Sequence, residues 1–185
     1  IMAFSTILLA WLVTGGQITM LSMVICSLLF LSPFNAQNLS YRFDSTYMAL
    51  SALFPLVPFL FRKDGKVFVF VSIICLNLCC MSYQSGTSIY IVMAIFFATS
   101  MWLEKDSYRK IFTFVGLAVA SFAFALIMFK LLFMNTLEDS SNLYYSTSFS
   151  LEVIPRNIST YLQTTSSLFG GLWIKLFLGI SLIVA

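Results

Sequence analysis

The residues best suited to chemistry form a short polar string between two apolar runs. The string reads Asn38-Leu39-Ser40-Tyr41-Arg42-Phe43-Asp44-Ser45. Arg42 offers a planar, permanently charged guanidinium that matches the oxygens of a phosphate. Asp44 offers a carboxylate that can accept hydrogen bonds from sugar hydroxyls or act as a base. Because aromatic rings flank both groups, the string suits a phosphorylated sugar held just outside a membrane.

The same string also has a purely structural interpretation. Its aromatic residues would belong to the belt found at membrane–water interfaces. Asp44 or Ser45 would cap the helix that follows, with Arg42 paired to Asp44. Spacing alone favours this structural interpretation, and both stay open at this point.

Two further polar segments could contribute to a site. The first is a tight turn, Ser82-Tyr83-Gln84-Ser85-Gly86-Thr87, whose side chains could either bind a sugar or satisfy helix ends. The second is a long segment, 135–167, rich in Ser, Thr, Asn and Tyr. A loop of this length in a compact protein is usually functional or disordered. Its charged residues are Glu138, Asp139, Glu152 and Arg156.

Composition excludes several kinds of chemistry. The 185 residues include no His, so this chain alone builds neither a Ser-His-Asp triad nor a His-ligated metal site. A net charge of +3, spread over several loops, is not a nucleic-acid-binding patch. The cysteines lie inside apolar runs and have no CxxC spacing, so we interpret them as small buried hydrophobic residues. They are Cys26, Cys75, Cys79 and Cys80.

The elements that must position these residues are membrane-spanning helices. Hydrophobic residues make up 60% of the chain and charged residues 9%, whereas soluble domains carry about 25% charged residues. We therefore predict an all-α, polytopic helical bundle with about seven spans, two of them partial. The chain begins and ends within apolar runs, so we expect an internal piece of a larger protein. The predicted spans are 1–14, 18–34, 46–61, 67–82, 88–103, 111–134 and, after a loop at 135–170, the partial span 171–185.

The basic residues predict the orientation. Six of the ten Lys and Arg residues lie in the loops 62–66 and 104–110, which the positive-inside rule assigns to the cytoplasm. The polar string, the Tyr83 turn and the segment 135–167 then face outward. Lys130 and Lys175 lie in spans near that outer face, where their side chains can snorkel to the interface. This asymmetry favours a site at the outer interface rather than a pore.

Specific strings resemble a known family. The run Ser32-Pro33-Phe34, the string 38–45, the run Met48-Ala49-Leu50-Ser51 and the turn Ser82-Tyr83-Gln84-Ser85 are similar to the type II bacterial O-antigen glucosyltransferases, which convert serotype. The match covers roughly residues 15–135. The string 38–45 is fairly specific, and the turn is weaker by itself.

The resemblance implies a multi-pass enzyme of the GT-C kind in the bacterial inner membrane, active on the periplasmic face. The donor would be undecaprenyl-phosphate glucose and the acceptor a sugar of the lipopolysaccharide O-antigen. In such enzymes an acidic catalytic residue usually lies in the first outer loop, which here would precede Ile1. Asp44 is the candidate within this chain.

The resemblance and the residue chemistry together suggest a binding set. Its members would hold the donor phosphate or the sugar hydroxyls; they are Asn38, Tyr41, Arg42, Ser45, Tyr83, Gln84, Ser85, Arg156 and Lys175. No organic cofactor is expected. Some GT-C enzymes use a divalent metal, and the outer carboxylates could bind one; nothing in their spacing is diagnostic, so a divalent metal stays open and no metal site is assigned. Those carboxylates are Asp44, Glu138, Asp139 and Glu152.

Two other functions stay open from the sequence. A transporter or lipid-linked-sugar flippase would need polar groups at mid-membrane on several helices, and the spans hold little beyond Asn77 and some Ser and Thr. An O-antigen polymerase would also combine many spans with one large outer loop. Its distinguishing feature would be paired Arg residues in outer loops, where this chain has only Arg42 and Arg156, far apart in sequence.

Overall fold

The protein is helical throughout the part that can be described. The structure, a computed structural model, describes residues 1–30, 40, 43–134, 153–169 and 171. These residues form helices and turns and contain no strand, which confirms the prediction of an all-α protein. Within them lie seven α helices: α1 (Met2–Val13), α2 (Met20–Phe30), α3 (Ser45–Leu53), α4 (Gly65–Ser82), α5 (Thr87–Leu103), α6 (Tyr108–Phe129) and α7 (Val153–Phe169).

Three helical segments are long and apolar enough to cross a bilayer. They are Gly65–Ser82, Gln84–Leu103 and Tyr108–Phe133. The 18 residues of α4 extend about 27 Å at 1.5 Å per residue, close to the ~30 Å hydrocarbon core of a bilayer. Each segment overlaps a span predicted from the sequence. Two further apolar helical segments are shorter, Met2–Val13 and Ser45–Phe61.

Prolines break the predicted span 46–61. The α-helical part, α3, ends at Leu53 and continues as a 3-10 helix, Phe54–Phe61. Pro55 has no N–H to donate to the Ser51 carbonyl four residues earlier, and its ring crowds that carbonyl. The break expected from Pro55 and Pro58 is therefore present, and the Ser51 carbonyl needs a donor from elsewhere.

The 3-10 helix provides the centre of the core. Phe59 is fully buried, and its ring centroid lies 5.7 Å from Phe68, 5.1 Å from Tyr90 and 5.4 Å from Phe97. The Tyr90 hydroxyl donates a hydrogen bond to Ser72 Oγ at 3.0 Å, which joins α5 to α4. Within a membrane, such packing and hydrogen bonds hold helices together, since lipid is as apolar as the side chains.

The chain divides into two compact units, Ile1–Leu137 and Glu138–Ala185. In the second unit, α7 lies within the segment 135–170 that was predicted to be a loop. Ile158, Tyr161 and Leu162 are exposed on this helix and recur at the spacing of one helix face. Residues 135–152, residue 170 and most of the predicted partial span 171–185 lie outside the described residues.

Candidate functional site

Asp44 lies at the N-terminus of α3 with its carboxylate unused by the helix. It occupies the N-cap position, and its backbone carbonyl accepts a hydrogen bond from Met48 N at 2.9 Å. Its side chain makes no capping hydrogen bond and is exposed. The structure thus confirms Asp44 as the N-cap residue of α3 but shows no side-chain capping bond, and the predicted pair with Arg42 lies outside the described residues. The carboxylate is left at a helix end where backbone N–H groups and the helix dipole favour anions.

Aromatic side chains flank this carboxylate. Phe43 is 90% exposed and Tyr47 is 56% exposed. Phe43 directly precedes Asp44 and Tyr47 lies in the first turn of α3, so two exposed rings lie within three residues of the carboxylate, where a sugar ring could stack. Ser45 is partly buried. Tyr47 was absent from the binding set predicted from the sequence; its position three residues after Asp44 is the signal that identifies it.

The Tyr83 turn presents its side chains outward. Tyr83 ends α4 in an extended conformation, with φ −160° and ψ 110°, and its side chain is 41% exposed. Gln84 and Ser85 are also exposed, while their carbonyl oxygens accept hydrogen bonds from the Thr87 and Ser88 hydroxyls, at 2.9 and 2.8 Å. The Thr87 and Ser88 hydroxyls thus satisfy backbone acceptors of the turn. The side chains of Gln84 and Ser85, predicted to bind substrate, remain exposed to solvent.

Close packing joins this turn to α3. A Cβ atom at Gly86 would overlap the carbonyl oxygen of Ser51, so glycine permits the contact. The Cys79 thiol donates to the same carbonyl at 3.4 Å and supplies the donor that Pro55 cannot. The turn and α3 therefore meet at one end of the first unit. Asp44, seven residues before Ser51, stands about 10 Å further along the axis of α3.

The basic loops meet at another place. Residues from both loops line one cavity of about 640 Å³, with α4, α5 and α6 around it. The cavity lies beside the N-terminus of α4, the end opposite the Tyr83 turn, since α4 runs from Gly65 to Ser82. Asp44 and the Tyr83 turn thus lie toward the end of the bundle opposite the basic loops. The basic residues that line the cavity are Arg62, Lys63, Arg109 and Lys110.

An apolar groove of about 510 Å³ runs between α5 and α6. Tyr90 and Trp102 mark its two ends along α5, and Ala94 and Ala98 between them leave room along the helix. From Tyr90 to Trp102 the helix rises about 18 Å. The groove has the length and character to hold part of a hydrocarbon chain.

Comparison with known families identifies the chain. The family model described as Glucosyl transferase GtrII matches residues 1–185, which is the whole chain. The chain belongs to this family. No curated protein and no solved structure matches it. The resemblance seen in the polar string is confirmed, and the protein is a glucosyltransferase-family membrane protein.

Several predicted members of the binding set cannot be placed. Asn38, Tyr41, Arg42 and Lys175 lie outside the described residues. Arg156 is exposed on α7, in the second unit. The members of the set that the structure does place at one end of the first unit are Asp44 and Ser45 on α3 and Tyr83, Gln84 and Ser85 in the turn.

Two further predictions concern the outer carboxylates as metal ligands and the cysteines as buried residues. Of the outer carboxylates considered as metal ligands, Asp44 is described, whereas the other three lie outside. Among described residues, no three Asp, Glu or Cys side chains form a group that could hold a metal ion. The cysteines are free and buried, as the sequence predicted, and Cys79 has the added role of hydrogen-bond donor.

Mid-membrane polar groups are mostly satisfied locally. Asn77 Nδ2 donates to the Ile73 carbonyl of its own helix at 2.8 Å, and Asn77 Oδ1 is buried without a partner among the described residues. Ser121 Oγ bonds the Leu117 carbonyl at 2.6 Å. Such pairing within or between helices stabilises a bundle.

Proposed function

We propose that this protein transfers glucose from undecaprenyl-phosphate glucose to a sugar of the lipopolysaccharide O-antigen, at the periplasmic face of the bacterial inner membrane. Membership of the glucosyltransferase family supports the transfer of glucose. The observation that carries the assignment of the site is the Asp44 carboxylate, which is exposed at the start of α3 and makes no capping bond.

The orientation follows from charge. The loops on either side of the basic cavity hold six of the ten basic residues, and loops of this kind stay in the cytoplasm. Asp44 and the Tyr83 turn lie toward the other end of the bundle. That end would face the periplasm, where a lipid-linked donor and a growing O-antigen can meet.

The reaction is a displacement at the anomeric carbon of glucose. An acceptor hydroxyl forms the new C–O bond, the bond from the anomeric carbon to the phosphate oxygen breaks, and undecaprenyl phosphate leaves with the electron pair. The hydroxyl proton passes to a carboxylate. In this chain Asp44 is the candidate to hold that hydroxyl or to take its proton. Phosphate is already a competent leaving group, so charge stabilisation completes the requirements.

The donor phosphate would lie near the N-terminus of α3. N–H groups in the first turn of a helix lack intrahelical partners and attract phosphate. Arg42, two residues before Asp44, would add a guanidinium, with Arg156 and Lys175 as further cations. The Phe43, Tyr47 and Tyr83 rings would contact sugar faces, while the side chains of Gln84 and Ser85 would bond sugar hydroxyls. The lipid tail would follow the groove between α5 and α6.

The test is glucose transfer in membranes that carry the protein, supplied with undecaprenyl-phosphate glucose and lipopolysaccharide. We expect Asp44→Asn to lower transfer by at least about 100-fold, the usual loss when a positioned acid–base group is removed. Asp64→Asn is the matched control, since it makes the same change at the other end and Asn still caps a helix well. Arg42→Ala should raise the KM for the donor.

Three outcomes would count against the proposal. Full activity of Asp44→Asn would move the chemistry elsewhere, with the segment 135–167 the next place to test. Transfer from a nucleotide sugar in place of the lipid-linked donor would exclude a lipid donor. No transfer by the unmodified protein to any O-antigen would favour the flippase or polymerase function.

A further inference from the structure

The cavity at the basic end has an excess of positive charge. We call it the basic cavity; four cationic side chains, Arg62, Lys63, Arg109 and Lys110, and two carboxylates, Glu104 and Asp106, line it. Four positive and two negative charges leave a net charge of +2. A volume of about 640 Å³ falls within the ~300–1,000 Å³ of small-ligand sites.

Part of this charge is already paired, and part is not. Lys110 Nζ lies 3.1 Å from Asp106 Oδ1, and Glu104 accepts a hydrogen bond from the Ser100 hydroxyl at 3.4 Å. Within the described residues, no carboxylate forms an ion pair with Arg62, Lys63 or Arg109. The charge that remains for a ligand is therefore positive.

Arg62 is held in place by an aromatic ring. Its Cζ atom lies 4.3 Å from the ring centroid of Phe97, a cation–π contact. Stacking fixes the plane of a guanidinium and leaves its N–H edge free to bond a phosphate. Arg62 is partly buried, which strengthens its interaction with an anion relative to an exposed side chain.

The floor of the basic cavity is apolar. Phe68, Phe97 and Phe114 line it and are buried, with Leu117 beside them. These rings already pack in the core, so the apolar surface left to a ligand belongs mainly to the partly buried Met101 and Leu117. A ligand with a charged head and a hydrocarbon tail would contact both the cations and these apolar side chains.

We propose that the basic cavity binds the phosphate headgroup of an anionic phospholipid, with the start of an acyl chain over the apolar floor, against Met101 and Leu117. The site is distinct from the proposed catalytic end and does not depend on glucose transfer. The positive-inside rule already explains why basic residues occur in these loops. That rule depends only on the charge of a loop and not on which side chains line the cavity. Lys66 and Lys105 lie in the same loops and do not line the cavity, so they separate the two explanations.

The test measures lipid binding to the full chain, purified in neutral detergent, by native mass spectrometry. Phosphatidylglycerol is titrated as the probe, and phosphatidylcholine and inorganic phosphate are titrated in parallel. For the double variant Arg62→Gln/Arg109→Gln we expect phosphatidylglycerol binding at least about tenfold weaker, the usual effect of losing a charged hydrogen bond. The matched pair Lys66→Gln/Lys105→Gln loses the same charge and should stay within about twofold of the unmodified protein, since neither side chain lines the cavity.

Each remaining outcome has a definite meaning. Equal weakening by both pairs would overturn the proposal, because the attraction would then belong to the loops and not to the cavity. Equal binding of phosphatidylglycerol and phosphatidylcholine would also overturn it, as would inorganic phosphate binding as tightly as the lipid. If the double variant does not fold, Arg109→Gln alone replaces it, since that side chain is exposed; unchanged binding by this variant would then contradict the site.

Discussion

Two aspartates occupy the same local position at opposite ends of the bundle and do different things. Asp64 precedes α4, and its Oδ1 accepts hydrogen bonds from Lys66 N at 3.1 Å and Val67 N at 3.3 Å. Asp44 precedes α3 and makes no such bond. One carboxylate is used by its helix, and the other is left for something outside it.

The backbone explains the difference. Asp64 has φ −107° and ψ 102°, the extended conformation in which an N-cap side chain reaches the N–H groups of the first turn. Asp44 has φ −99° and ψ −10°, close to the helical region. Its side chain therefore leaves the helix axis at another angle. Identity and position along a helix do not by themselves decide whether a carboxylate is structural or available.

The largest effect on stability is expected from a substitution that disrupts the contact between the Tyr83 turn and α3, at the end that carries Asp44. Gly86→Ala places a methyl group against the Ser51 carbonyl, and overpacking of this kind costs about 1–3 kcal/mol. We expect a lower midpoint of thermal unfolding in detergent, together with reduced glucose transfer.

Gly116→Ala is the matched control for this change. Nothing lies within 4 Å of a Cβ atom at Gly116, and Ala is favoured over Gly within a helix by up to about 1 kcal/mol. This variant should be as stable as the unmodified protein or more so. If both variants unfold alike, the close contact between the turn and α3 does not matter to stability.

A smaller effect is expected when the two N-cap aspartates, Asp64 and Asp44, are each replaced by alanine, and it tests the difference between them directly. Asp64→Ala removes both capping bonds and should lower the free energy of unfolding by about 1 kcal/mol. Asp44→Ala should leave stability unchanged while it lowers transfer. Denaturant unfolding in mixed micelles measures the first quantity and the membrane assay measures the second. A stability loss in Asp44→Ala equal to that in Asp64→Ala would show that both carboxylates act as caps.

The smallest effect concerns the hydrogen bond between α5 and α4. Tyr90→Phe removes the bond to Ser72 and keeps the ring that packs on Phe59, so we expect a loss of about 0.6 kcal/mol. Tyr108→Phe, at an exposed position, is the control and should change nothing. A loss above about 2 kcal/mol would exceed what such bonds contribute in membranes and would point to a wider network.

The sequence predicted what depends on composition and local stereochemistry. The apolar runs, the break at Pro55 and the clustering of basic residues in two loops all follow from such local properties. The state of the Asp44 side chain could not be predicted, since it depends on a backbone ψ angle. The contact between Gly86 and Ser51 was also out of reach, because it joins residues 35 positions apart. The helix α7 was missed because the polar composition of segment 135–167 masked the helical spacing of Ile158 and Leu162.

The break at Pro55 has a consequence for how the sequence can vary. Proline leaves the Ser51 carbonyl without its helical donor, the Cys79 thiol supplies one at 3.4 Å, and Gly86 makes room beside it. In a bilayer a carbonyl without a partner costs several kcal/mol. Positions 55 and 79 should therefore change together in evolution. A homologue with an ordinary helix-forming residue at 55 would no longer require a thiol at 79, whereas the close approach to the Ser51 carbonyl would still require glycine at 86.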